Sequence, residues 1–354
     1  MAHPRELQIE HFTYPLPEER IARYPLPDRE GSKLLLYKGG RIGETLYSHI
    51  AEHLPPGALL VFNNSRVVEA RLLFQKPTGG IIEIFALEPH EQYADITAAM
   101  NETGRILYKC LIGGAGKWKH GMVLHKEVQH EGQQVAIEAR ITERRSDCFV
   151  IELQWTPTRL SFANVLHLAG QMPIPPYLHR EAEESDRERY QTVYATTDGS
   201  VAAPTAGLHF TPRLLGELKE KGHPLAYTTL HVGAGTFMPV KSATMAGHEM
   251  HAEYLEADMT LLEQLQQAET VVAVGTTAMR TLESLYWMGV KAHLRPDSTL
   301  ADLEMQQWEV YDALMEHGVP TQTAMQALVG WLRQQGKRQL VIRTRIIIAP
   351  GYRF

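Results

Sequence analysis

Ser200-Val-Ala-Ala-Pro-Thr-Ala-Gly-Leu-His-Phe210, Leu230-His-Val-Gly-Ala-Gly-Thr-Phe237 and Val274-Gly-Thr-Thr-Ala-Met-Arg-Thr-Leu-Glu-Ser284 are the stretches that decide how this chain folds. Each leads an apolar run into small residues and sets polar or ionisable side chains at the turn. In an open α/β sheet, ligands bind at the carboxyl ends of the strands. Three such ends within one segment predict a composite pocket, and therefore an enzyme.

Working outward, strands and helices alternate on the carboxyl side of the chain. Leu214 to Lys221 reads as helix, Leu225 to Leu230 as strand, Met259 to Gln267 as helix, Val271 to Val274 as strand and Thr277 to Tyr286 as helix. That alternation predicts a parallel sheet with flanking helices. Leu34 to Tyr37 and Leu59 to Phe62 read as buried strands, with a helical stretch between them around Tyr47 to Leu54. From Val67 to Gln154 the texture changes to short β-rich runs, such as Ile81 to Ala86 and Gln134 to Ile141, spaced by glycine-rich or charged turns. This predicts a small antiparallel barrel or sandwich. The expected fold class is α/β, a parallel-sheet domain with an inserted antiparallel β-barrel. Residues 1–66 form the first part of the α/β domain, 67–154 the barrel and 155–354 the second part. Asp186 to Tyr194 reads as an amphipathic helix, and Leu300 to Gln334 as a long helical stretch.

With 354 residues, the chain is long enough for two domains. Hydrophobic residues at 44% and charged residues at 21% are ordinary for a soluble globular protein. No apolar run approaches the roughly 18 residues of a membrane span, and the N-terminus lacks the order of a signal peptide. Cys110 and Cys148 are too few for a disulfide framework or a zinc site of their own, which fits a reducing cytoplasm. A net charge of −6 argues against an indiscriminate nucleic-acid binder, although a local basic patch could still meet RNA.

Within the decisive blocks, His209 follows Thr205 and Gly207 and suits general-base work; a core-bonded histidine is the plainer alternative. His231 opens the Gly233, Gly235, Thr236 turn, a possible nest for an anionic or carbonyl group. Thr276 and Thr277 precede a helix and could present hydroxyls and amide donors at its N-terminus. Arg280 and Glu283 are spaced for a structural pair. Asn63 and Arg66 follow a buried strand, and the guanidinium could clamp a carboxylate or phosphate. His248-Glu-Met-His-Ala-Glu253 has H-E-x-H spacing, not the H-E-x-x-H that sets two imidazoles on one helical face. An extended segment carrying His248, His251 and Glu253 is therefore expected, with no metal.

Together these blocks resemble the S-adenosylmethionine:tRNA ribosyltransferase-isomerase family of queuosine biosynthesis. The resemblance also rests on Tyr14-Pro-Leu-Pro17, Phe62-Asn-Asn-Ser-Arg66, Pro173-Ile-Pro-Pro-Tyr177, Arg189-Tyr-Gln-Thr-Val-Tyr-Ala195 and Ala349-Pro-Gly-Tyr-Arg-Phe354, so it spans almost the whole chain. It implies transfer and isomerisation of the ribosyl unit of S-adenosylmethionine onto 7-aminomethyl-7-deazaguanine at the tRNA wobble position. Adenine and methionine leave, giving epoxyqueuosine, without a metal or redox cofactor. The partners implied are S-adenosylmethionine and tRNA carrying the queuosine-precursor base. A monomer is expected, in the cytoplasm. Candidate roles are His209 or His231 as base, the Gly233–Thr236 and Thr276–Thr277 turns for the donor, and Arg66 and Glu253 to orient polar groups. The resemblance also leads one to expect further strand, helix and pocket wall beyond Phe354. A non-catalytic RNA-binding paralog of the same fold is the alternative, and a metal-dependent nucleotide hydrolase a third reading.

Overall fold

The strand Leu59–Asn63 is buried at all five positions, and its two faces feed two different cores. This computed structural model describes residues 3–354 apart from 77, 120, 131, 234, 236–239 and 241. Leu59 and Val61 pack with the helices Met259–Gln267, Gly275–Leu294 and Thr321–Gln334. Leu60 and Phe62 pack with Phe210, Leu214 and Leu218 around the helix Pro212–Glu220. A strand covered on both sides needs an unbroken apolar run, which is what Leu59-Leu-Val-Phe62 supplies.

Around it runs a five-stranded sheet, ordered Val271–Ala273, Leu59–Asn63, Leu225–His231, Glu253–Asp258, Gln339–Thr344. The first three strands are parallel, so Ala273, Asn63 and His231 end on one edge. The last two are antiparallel, which corrects the expectation of a purely parallel sheet. Among the described residues between His231 and Glu253 no α-helix occurs, and an antiparallel neighbour needs no crossover helix. Glu253, the first residue of the returning strand, thereby stands at the same edge as His231.

Residues 71–171 contribute a seven-stranded, wholly antiparallel sheet. Its strands alternate inward and outward, as in Arg105–Gly113, where Ile106, Tyr108 and Cys110 point into the core. The sheet curls until Lys126, on one edge strand, reaches the Leu73 carbonyl at 3.0 Å. The helix Phe162–Ala169 adds Phe162, Val165 and Leu166 to that core, and it starts with a capping box between Ser161 and Asn164.

At the end of this helix, Gly170 passes so close to residue 69 that an added Cβ would lie 1.8 Å from the Glu69 carbonyl oxygen. Gly170→Ala should cost about 1–3 kcal/mol or more, because backbone must move. Urea unfolding checks this, and unchanged stability would show that the two segments part freely.

Three local expectations are corrected. The strand read at Leu34–Tyr37 exists as Lys33–Lys38, hairpinned with Arg41–Leu46, yet Leu35, Tyr37 and Ile42 are exposed. The helix read at Asp186–Tyr194 stops at Arg189, where the β-branched residues Thr192 and Val193 follow. The stretch from Leu300 to Gln334 breaks into Leu300–Leu303, a π-helical turn Val310–Leu314 and the helix Thr321–Gln334, interrupted by Gly318 in the left-handed region and by Pro320.

Candidate active site

All three glycine-and-histidine blocks meet at the edge where the parallel strands end. Gly275 opens the 20-residue helix Gly275–Leu294 with φ +89°, and a Cβ there would stand 3.0 Å from that of Ala206. Glycine fits because other residues rarely adopt this φ. The helix N-terminus, with exposed Thr276 and half-buried Thr277, therefore sits against the single turn Thr205–His209. On that turn Thr205 is exposed, while Gly207 is buried and packs against the Tyr194 hydroxyl. His209 is half-buried and stacked on Tyr47, with ring centroids 4.7 Å apart. Its Nδ1 contacts the Ala206 carbonyl at 3.4 Å, and no described residue hydrogen-bonds Nε2.

His231 differs. Its side chain is fully buried, and Nε2 contacts Glu256 Oε1 at 3.2 Å. That hydrogen bond, helped by Thr97 and Gln339, holds Glu256 below the usual carboxylate range. His231 Nδ1 faces no protein partner. Two residues on, the Gly233 amide donates to Glu253 Oε1 at 3.2 Å, and Glu253 Oε2 pairs with Arg280. Burial pushes the Glu253 carboxyl up, against the pull of Arg280. Arg280 also donates to the His251 and Thr344 carbonyls at 3.3 and 3.2 Å. The expected Arg280–Glu283 pair is not formed, since Glu283 accepts instead from the Tyr352 hydroxyl.

The remaining candidates are placed less centrally. Asn63 has its amide taken up by the neighbouring strand, donating to the Leu230 carbonyl at 3.0 Å and accepting from the Leu230 amide at 2.9 Å. His248 gives its carbonyl to Gln307, and the exposed His251 packs its ring on Gly235. Residues 248–252 have no regular structure, and the strand begins at Glu253. Thr236 lies outside the described residues. Among the described residues, no three His, Cys, Asp or Glu side chains converge as ligands for a metal ion. No described helix is long and apolar enough to cross a membrane.

Arg66 belongs to a second feature, a cavity of about 590 Å³. It donates from Nη2 to the Ala195 carbonyl at 3.2 Å and stands 3.9 Å from Asp198. Glu69, His167, Arg187, Thr192 and Asp198 share the lining. Sequence reasoning gave none of these five a role; only Thr192 falls within a quoted motif, and the others are scattered along the chain. Burial raises the Asp198 carboxyl pKa, which Arg66 opposes. The hydroxyls of Ser65, Thr192, Tyr194 and Thr277 are buried, with no partner among the described residues. Groups of this kind are normally hydrogen-bonded, so the region is built to meet a polar ligand or water.

Polar and ionisable side chains gathered where parallel strands end are the arrangement of an α/β enzyme. Residues 9–354 match the model of a family described as queuosine biosynthesis protein. A relative from Pelobacter propionicus, named S-adenosylmethionine:tRNA ribosyltransferase-isomerase, is 40% identical over 317 residues, covering 87% of this chain and 86% of its own. A solved S-adenosylmethionine tRNA ribosyltransferase from Thermotoga maritima is 29% identical, over 77% of this chain and 71% of that one, at a TM-score of 0.32. The chain belongs to the queuosine biosynthesis family, as an enzyme of the S-adenosylmethionine:tRNA ribosyltransferase-isomerase type.

Proposed function

We propose that this enzyme moves the ribosyl unit of S-adenosylmethionine onto 7-aminomethyl-7-deazaguanine at the tRNA wobble position and isomerises it, giving epoxyqueuosine, adenine and methionine. The observation that carries the reading is the meeting of the Thr205–His209, His231–Gly233 and Gly275–Arg280 segments at one sheet edge, together with buried hydroxyls that have no partner among the described residues. The scheme needs a base, because the sulfonium acidifies the neighbouring C5′ protons and their loss gives an ylide-like nucleophile. His209 fits this role better than His231, since its ring is half-buried and no described residue hydrogen-bonds Nε2. His231, enclosed and tied to Glu256, positions the strand end.

The Thr276–Thr277 amides at the helix N-terminus suit the methionine carboxylate. Gly233 is held by Glu253, itself oriented by Arg280, so this pair shapes the neighbouring turn. The scheme uses S-adenosylmethionine as substrate and calls on no metal or redox cofactor. In the same reading, residues 67–154 are an antiparallel barrel inserted between two parts of the α/β domain, 1–66 and 155–354, and the enzyme works as a cytoplasmic monomer.

Incubation with S-adenosylmethionine and tRNA bearing the aminomethyl base should release adenine in step with epoxyqueuosine, followed by nucleoside mass analysis. Absence of both products would overturn the proposal.

A further inference from the structure

The 590 Å³ cavity is walled by charged groups, several of which are already held by protein partners. Arg29 donates to the carbonyls of Gln191, Leu208 and Glu188 at 2.8–3.0 Å. Glu69 is buried between His167 Nδ1 at 2.8 Å and Arg187 Nη1 at 3.2 Å. Arg187 donates as well to the His167 carbonyl at 3.0 Å. Asp198 is held less firmly. Among the described residues no donor hydrogen-bonds its carboxylate, and Arg66 Nε stands off at 3.9 Å. Thr192 also belongs to the lining; it is only 4% exposed, and among the described residues its Oγ1 has no partner.

A half-buried carboxylate that no described donor hydrogen-bonds, in a polar cavity, favours a ligand rich in N–H groups and carrying positive charge. Charge-assisted hydrogen bonds of that kind are about twice as strong as neutral ones. The neighbouring arginines do not select for an anion, because Arg29 and Arg187 are already engaged. The volume suits a small-molecule site of about 300–1,000 Å³. It admits a single base and not a stacked strand, so a nucleic-acid base would have to leave its stack to enter. Gly199, next to Asp198, lies under the His231 ring, where a Cβ would be 2.9 Å from Nδ1. The cavity wall thus continues to the strand end assigned to the donor.

We propose that this cavity receives the acceptor base and that Asp198 recognises its primary ammonium group. The inference rests on the function proposed above and names the part of the site that reads the acceptor.

Asp198→Asn keeps the shape and removes the charge. The probes are free 7-aminomethyl-7-deazaguanine and its neutral 7-cyano counterpart, titrated by calorimetry into the wild-type and variant proteins. The wild type should favour the amine by about 10–100-fold. The variant should lose that preference while binding the cyano base and S-adenosylmethionine as before. A preference retained in Asp198→Asn, or absent from the wild type, overturns the assignment. The turnover assay separates the two readings. If the wild type forms epoxyqueuosine and the variant keeps its kcat/KM for tRNA, only the role of Asp198 fails. If the wild type forms none, both fall.

Discussion

His209→Ala should lower kcat by about 10²–10⁴-fold, the usual worth of a positioned general base. The ring is half-buried and no described residue hydrogen-bonds its Nε2, so the chemistry is lost with little loss of packing. Stacking on Tyr47 is the main contact removed, worth about 0.5–1.5 kcal/mol. Thermal unfolding should therefore change little and S-adenosylmethionine should still bind, while single-turnover kinetics show the defect. His231→Ala is the contrasting variant. Its ring is enclosed and paired with Glu256, so its removal leaves a cavity and a carboxylate held only by Thr97 and Gln339, and stability falls. A fully active His209→Ala enzyme would remove His209 as the base.

Arg280→Met should destabilise the protein by about 3–5 kcal/mol at pH 8, because it leaves a buried carboxylate without its cation. The loss should shrink at pH 5. Burial already raises the Glu253 carboxyl pKa, and Arg280 is the main group opposing the rise. A carboxyl raised on folding contributes its stability in full below the ordinary glutamate range, and the contribution fades as pH climbs through the folded value. Removing Arg280 raises that value further, and each added unit is worth about 1.36 kcal/mol. Glu253→Gln should behave differently. It leaves a guanidinium that cannot shed its proton, with the His251 and Thr344 carbonyls as remaining acceptors, so its cost should not depend on pH in this range. Urea unfolding of both variants at pH 5 and pH 8 tests the pair. Equal losses for Arg280→Met at the two values would show that Glu253 keeps its charge without help.

Much of this fold was legible because burial leaves a mark on residue order. Leu59-Leu-Val-Phe62 reads as a doubly covered strand and is one, and the alternating runs after Val67 read as antiparallel β-structure. Glu253–Asp258 and Gln339–Thr344 alternate in burial as antiparallel strands do, but Tyr254-Leu255 and Leu340-Val-Ile342 are apolar runs in residue order, so the mixed sheet left no period to read. Leu34-Leu-Leu-Tyr37 misled for the opposite reason: a run of apolar letters says nothing of whether another element covers them, and here Tyr37 pairs with Ile42 on an open face. The strand-end blocks stood out because glycines, threonines and histidines cluster in sequence as they do in space. Asp198, Glu69, His167 and Arg187 carry no such mark, since only the close pass of Gly170 and the helix Phe162–Ala169 brings their segments together. Arg280 was noticed, but its partner lay 27 positions back and not three ahead.

The hydrogen bond from Asn63 to Leu230 joins residues 167 positions apart, and this has a consequence for synthesis of the chain. At about 5–20 residues per second, Leu59–Asn63 leaves the ribosome roughly 10–30 s before the strand it must lie beside. For that interval a wholly apolar segment has no native cover, while the intervening antiparallel sheet, whose contacts are shorter in range, can assemble first. Slow loop closure of this kind leaves a nascent chain prone to clumping. The yield of native enzyme should therefore depend on translation speed and on chaperones that shield Leu59-Leu-Val-Phe62 until residue 230 has emerged.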